Sequence, residues 1–391
     1  MIRSVLTHLE CPGCGQRHDP SMLRGLCECG GPLLVRYDLT AKKPIEARER
    51  LKGRRGDMWR YAELMPDPGF EISLGEGWTP LIETENFARR FGLAKVLVKD
   101  ESLNPTGSFK ARGLSAAVGM ARKLGAPGVS LPSAGNAGSA AAAYGARAGI
   151  PVHVFLPRET PRPFSLEARG LGAVIHEVDG HIGDAGRAMR GIIAEKGWFD
   201  LSTCKEPYRV EGKKTMGYEI VEQLDWTTPD AIIYPCGGGT GLIGMWKAFQ
   251  EMESLGWIST GRRPRLFAVQ SDGCAPVVRA METGAARIEP WEAPETMASG
   301  LRVPAPFADR LLLESLRESG GGAVAVEERR IPGAVRDYGS STGVLPAPEG
   351  AACLLALEML VDSGRITRSD RVVLLNTGTC LKYPEALQEA S

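Results

Sequence analysis

The sequence predicts an α/β protein of two Rossmann-like, doubly wound domains preceded by a small Cys-rich ribbon. Three observations carry this. From about Lys95 onward, apolar runs of strand length alternate with Ala-rich stretches of helical period. Gly-rich turns stand where a strand hands over to a helix, as in SAGNAG and PCGGGTG. Four of the nine cysteines are gathered near the N-terminus, in CPGCG and CECGG, while the rest are scattered singly.

The elements follow in order. CPGCG and CECGG read as short turns leading to the strand-like PLLVRYDL, and a basic, Pro-punctuated segment then reads as a linker with a helix or two. KVLVKDE with FKARGLSAAVGMARKLG, GVSLPS with AGSAAAAYGARAG, PVHVFLP with the helix after it, and AVIHEV with AGRAMRGIIAEKG form a βαβ series, which implies a parallel sheet covered on both faces. The rhythm breaks at FDLSTCKEPYRVEGKKTMG. It resumes with DAIIYPC and the helix LIGMWKAFQEMESLG, continues through RLFAVQSDG, and closes with EGAACLLALEMLVDSG and RVVLLNTG.

With 391 residues, 43% hydrophobic and 24% charged, the chain is long enough for two domains. Lys+Arg and Asp+Glu are both 47, so no global field points to nucleic acid or an anionic membrane. No apolar run approaches the roughly 18 residues that span a bilayer, and MIRSVLTHLECP lacks the apolar segment of a secretory signal, so a cytoplasmic protein is expected.

Three motifs carry chemistry. In SLNPTGSFKARG, Asn104-Pro105-Thr106-Gly107 is a turn, Ser108 an N-cap, and Lys110 stands in the first turn of a helix. The positive end of the helix dipole there favours the neutral amine, which attacks a carbonyl; a surface lysine beside a cap is the plainer alternative. In SAGNAG, small residues around Asn136 bring a backbone turn close to a flat ligand, suited to a carboxylate, with the Asn136 amide available to a ring hydroxyl. A helix start packed tightly on a sheet would use the same residues. In PCGGGTGLIG, Gly237, Gly238, Gly239, Thr240 and Gly241 form a loop into a helix, an anion nest suited to a phosphate monoester. It is neither a P-loop nor G-x-G-x-x-G in register, and a nucleotide site stays open.

Cys11-x2-Cys14 and Cys27-x-Cys29, with Pro12, Gly13, Gly15 and Gly30, can present four thiolates to one Zn²⁺. Structural zinc is the favoured reading, thiols that merely pack the other. His8 and His18 are near enough to substitute as ligands.

Taken together and in this order, the motifs resemble the fold type II pyridoxal 5′-phosphate (PLP) enzymes, and within them the threonine synthases. The likeness runs from LGEGWTPL through SLNPTGSFKARG, SAGNAGSAAAAYGARAGIPVHVFLP and PCGGGTGLIG to LLNTGTCLKYP, and the Cys-bearing piece ending LLVRYDL is similar to one that many threonine synthases carry. The resemblance implies PLP in a crevice between the two domains, held as a Schiff base by Lys110, which also moves protons at Cα and Cβ. It implies Asn136 on the phenolic oxygen, Ser133, Ala134, Gly135 and Ala137 around the substrate carboxylate, Gly237, Gly238, Gly239, Thr240 and Gly241 on the 5′-phosphate, and Thr377 facing the pyridine nitrogen. A neutral hydroxyl there leaves the nitrogen largely unprotonated, and the weaker electron sink favours expulsion of a leaving group over transamination.

The implied layout is a ribbon over residues 1–40, a linker with a helical wrap over 41–74, a large cofactor domain over 75–110 and 212–391, and a small α/β domain over 111–211. A lyase converting O-phosphohomoserine and water to threonine and phosphate is expected, as a homodimer with a small amino-acid substrate. Three departures touch the substrate side: Ala111 where the family has Asp, Thr379 where it has His, and RETPRPFSLEARGLGA, which lacks an expected Lys and Gln. Arg158, Arg162 and Arg169 could then clamp a phosphate, although a solvated basic helix face fits at least two of them better. An ammonia-lyase acting on threonine, serine or diaminopropionate, a cysteate-type β-replacement enzyme, and a nucleotide-binding or catalytically dead paralogue are the rivals.

Overall fold

The computed structural model describes residues 3–388. By packing, the chain falls into two units. The first comprises residues 3–78, Asn104–Met216 and Ser254–Trp257; the second comprises Thr79–Leu103, Gly217–Glu253 and residues 258–388.

The first unit holds two sheets. A small antiparallel sheet has the order Arg17–His18, Leu6–Glu10, Leu34–Tyr37. A parallel sheet has the order Val174–Val178, Val152–Pro157, Val129–Pro132, Phe199–Asp200. Its strands alternate with helices Lys110–Lys123, Asn136–Ala148, Arg162–Gly170 and Ile182–Lys196, the winding that the sequence rhythm predicts. The Lys110 and Asn136 helices pack on each other, and Ala117 and Ala121 on one and Ala140 and Ala141 on the other are buried in one cluster. Gly145 lets the second lie close to the sheet, since a Cβ there would stand 2.0 Å from Val152 Cγ2. The ribbon is not a bead apart: Leu9, Cys11, Cys27, Leu33 and Val35 belong to the same buried cluster as Trp59, Leu114 and Val118.

The second unit is built on one six-stranded sheet. Its order is Gly322–Val326, Arg265–Ser271, Ala231–Pro235, Arg371–Asn376, Lys95–Asp100, Leu81–Glu83. All pairings are parallel except the last, where Leu81–Glu83 runs antiparallel at the edge. The helix Pro348–Asp362, buried along almost its whole length, lies on the central strands, which explains a sequence that is apolar all round. Lys99 is a buried charge in its strand. Its ammonium is fully buried but satisfied by Glu219 at 2.8 Å, Thr79 O at 2.7 Å and Gln223 at 2.9 Å.

The break in rhythm before Met216 turns out to be a helix, Tyr208–Gln223. Arg209, Glu211, Lys213, Lys214 and Glu219 on it are buried, with Glu211 paired to Lys214 and Glu219 to Lys99, so no amphipathic stripe shows in the sequence.

Candidate active site

In the first unit the Lys110 helix begins from a strained turn. Thr106 and Gly107 both take positive φ, at 60° and 63°, and Asn104 Oδ1 braces the turn by accepting from Gly77 N at 3.0 Å. Ser108 is extended and Phe109 already helical, so the helix starts from Ser108, whose carbonyl accepts from Ala111 N at 3.2 Å. The expected cap is only half realised. The Ser108 hydroxyl bonds no helix amide and, among the described residues, is buried without a partner. Lys110 is half-buried and sets its ammonium 4.0 Å from the centre of the Phe109 ring.

The Asn136 turn leaves the strand Val129–Pro132. Ser133 Oγ accepts from Gly138 N at 2.9 Å and donates to Gly135 O at 3.0 Å, so this hydroxyl shapes the turn from within. Ala134, Gly135, Asn136 and Ala137 are half-buried, and Gly138 N in the first turn of the Asn136 helix also reaches Gly135 O at 3.1 Å. Such a turn receives an anion.

Sequence reasoning missed the group that ties these two helices together. Glu76, fully buried within LGEGWTPL, accepts from Ser115 Oγ at 2.6 Å and Trp59 Nε1 at 2.9 Å through one oxygen. Through the other it accepts from Tyr144 Oη at 2.7 Å and Leu74 N at 2.9 Å. Ser115 lies on the Lys110 helix and Tyr144 on the Asn136 helix. Only the presence of an acid among apolar and Gly neighbours could have signalled it.

In the second unit, strand Ala231–Pro235 leads through the Gly-rich loop into helix Thr240–Ser254. The glycines have separate reasons. Gly239 has φ of 73°; a Cβ on Gly237 would lie 2.2 Å from Gly300 O, and one on Gly241 1.9 Å from Tyr234 Oη. Packing therefore requires Gly237 and Gly241, while the positive φ of Gly239 turns the chain into the helix. Thr377, buried, follows strand Arg371–Asn376 directly. Glu349 braces this end, its Oε1 accepting from Gly300 N at 2.7 Å and Tyr383 Oη at 2.9 Å.

The cysteines come together as expected. The Sγ atoms of Cys11, Cys14, Cys27 and Cys29 all lie within 4.8 Å of one another, with two pairs at 3.6 Å. A tetrahedral zinc–thiolate site has S···S edges of about 3.8 Å, so this set fits one ion. His18 Nε2 stands 3.3 Å from Cys27 Sγ, in the place of a partner to a ligand.

The arginines do not form a clamp. Arg158 pairs with Asp179 at 2.8 Å and Glu177 at 3.2 Å, and Arg169 pairs with Glu177 at 2.9 Å, all at the surface. Arg162 is exposed. The solvated face is what the structure has.

In the first unit, a lysine at a helix N-terminus beside a turn of small residues suits an aldehyde, and in the second a glycine loop leading a helix suits a phosphate. The chain belongs to the family of pyridoxal-phosphate dependent enzymes, whose family model matches residues 72–378. More particularly, it is 37% identical to threonine synthase from Methanosarcina acetivorans over 97% of this chain and 93% of that one. It is 36% identical to threonine synthase from Methanocaldococcus jannaschii over 97% and 94%. Among solved structures, diaminopropionate ammonia lyase from Escherichia coli has the same fold, with a TM-score of 0.70 over 98% of this chain and 97% of that one at 17% identity. Maize serine racemase matches with a TM-score of 0.67 over 77% and 87% at 23% identity.

Proposed function

We propose that this chain is a threonine synthase that takes O-phosphohomoserine and water to threonine and phosphate. The observation that carries the reading is 37% identity to a threonine synthase along 97% of the chain. When bound, pyridoxal phosphate supplies an electron sink for charge developing at the amino acid's Cα and Cβ. Lys110 holds the cofactor and, when released from it, takes and returns protons at those carbons; its place at a helix N-terminus favours the neutral amine that both tasks need. Asn136 orients the cofactor ring through its amide. The turn of Ser133, Ala134, Gly135 and Ala137 offers backbone amides to the substrate carboxylate. Gly237, Gly238, Gly239, Thr240 and Gly241 present amides to the cofactor phosphate, and the Thr377 hydroxyl meets the ring nitrogen as a neutral partner. Overall, the C–O bond at Cγ breaks and phosphate departs with a proton, one C–H bond at Cβ is exchanged for a bond to the hydroxyl of water, and Cγ gains a proton.

The sequence layout carries into this reading: a large cofactor domain over residues 75–110 and 212–391, a small domain over 111–211, and a structural zinc on Cys11, Cys14, Cys27 and Cys29. The four-thiol geometry supports the zinc. A cytoplasmic homodimer is part of the same proposal; among the described residues no helix is long and apolar enough to cross a membrane.

A substrate panel tests the reaction. Phosphate and threonine should form together from O-phosphohomoserine. Formation of an α-keto acid from threonine, serine or diaminopropionate without any phosphate release would replace this reading with an ammonia-lyase.

A further inference from the structure

With Arg158 and Arg169 engaged at the surface, a phosphorylated substrate needs another cation. The first unit holds one beside Lys110. Helix Tyr208–Gln223 crosses the Lys110 helix at two glycines: a Cβ on Gly212 would lie 2.0 Å from Arg112 O, and one on Gly113 would lie 3.0 Å from Arg209 O. This close crossing puts Lys213 Nζ 4.8 Å from the centre of the same Phe109 ring that Lys110 touches.

Lys213 is 2% exposed, yet among the described residues its ammonium has no hydrogen-bond acceptor and no carboxylate at ion-pair distance. Its neighbours are otherwise occupied. Glu211 is bound to Lys214 at 2.7 Å and to Tyr37 Oη at 2.7 Å. Glu206 accepts from Tyr208 N at 2.7 Å and Arg209 N at 3.0 Å, and burial pushes its carboxyl up to about 7. Buried lysines in proteins are ordinarily paired, and an unpaired one next to a reactive lysine is an anion's place left open. Burial, Arg209 and Lys110 all press Lys213 towards the neutral amine, so an arriving dianion both pairs it and holds its proton.

We infer that Lys213 receives the phosphate group of the substrate, a phosphomonoester on the amino acid's side chain. The inference rests on the function proposed above and names the cation that reads the leaving group. Lying on the ring that Lys110 touches, Lys213 meets a phosphate whose amino acid has its Cα at Lys110. The cofactor's own phosphate has the glycine loop.

The test uses holoenzyme and its Lys213→Gln and Lys213→Arg variants. Calorimetric titration with inorganic phosphate, which involves no turnover, should show binding to wild type weakened about tenfold or more in Lys213→Gln and largely restored in Lys213→Arg. The KM for O-phosphohomoserine should rise in parallel. Binding of threonine, which carries no phosphate, read from the cofactor's absorbance, should change less than about twofold. Should Lys213→Gln fail to fold, Lys213→Met serves as the neutral variant. Phosphate binding equal in wild type and the neutral variant overturns the inference, as does an equal loss of threonine binding. A wild-type enzyme that releases no phosphate from O-phosphohomoserine would instead defeat the proposed function, and the phosphate titration would still decide the role of Lys213.

Discussion

Tyr144 donates its phenolic hydrogen to Glu76 at 2.7 Å, across a separation of 68 residues, in a site closed to water. The same carboxylate holds Ser115, so one acid fixes the helix that starts at Lys110 against the helix that starts at Asn136. Glu76→Gln keeps the shape but turns an N–H towards groups that already donate. A loss of stability of about 3 kcal/mol is expected, with a fall in kcat, because a buried donor facing donors is left unsatisfied. Tyr144→Phe should cost about 1 kcal/mol. Denaturant midpoints and turnover measure both; a Glu76→Gln protein with wild-type midpoint and kcat would contradict this role.

Lys213 should be a liability to the empty fold. Burial, Arg209 and Lys110 depress it well below 10.5, against weaker pulls from Cys204 and Glu206. Between its folded value and 10.5 the unfolded chain binds the extra proton, so the cost of burying Lys213 is full at lower pH and fades as pH rises towards 10.5. Lys213→Met should therefore be more stable than wild type by on the order of 1 kcal/mol at neutral pH, with the gap closing at pH near 10. Melting of both proteins across that range, without phosphate in the buffer, checks it. A variant less stable than wild type at neutral pH would show that the lysine is paired in solution.

The ribbon should bind about one Zn²⁺ per chain, lost on replacing Cys11 and Cys14 by Ser. Because Leu9, Leu33 and Val35 share a core with Trp59 and Leu114, removing the metal should lower the melting temperature of more than the ribbon. Part of the activity should survive, since the proposed chemistry uses no metal. Elemental analysis of protein purified without chelators decides; absence of zinc would leave four thiols that only pack.

What the sequence made legible was local. A strand, a Gly turn and a helix start lie within a dozen or so residues, and each chemical motif here is one such unit, so SLNPTGSFKARG, SAGNAG and PCGGGTG could be read directly. The alternation of strand and helix gave the winding for the same reason. What stayed hidden depends on partners far along the chain. Glu76 is defined by Ser115 and Tyr144, the buried Lys213 by a crossing at Gly113 and Gly212, and the surface fate of Arg158 and Arg169 by Glu177 on a later strand. In Tyr208–Gln223, charges that usually mark a solvated face are turned inward, which defeats any reading by hydrophobic period.

Two lysines flank one aromatic ring, and the account assigns the covalent role to the one at the helix N-terminus. Borohydride reduction of the purified protein, followed by peptide mapping, tests this most directly. The expected result is a phosphopyridoxyl adduct on Lys110, with loss of the absorbance near 400 nm, and no such adduct or turnover in Lys110→Ala. An adduct on Lys213 or Lys99, or no adduct on any lysine of a protein that still turns substrate over, would contradict it.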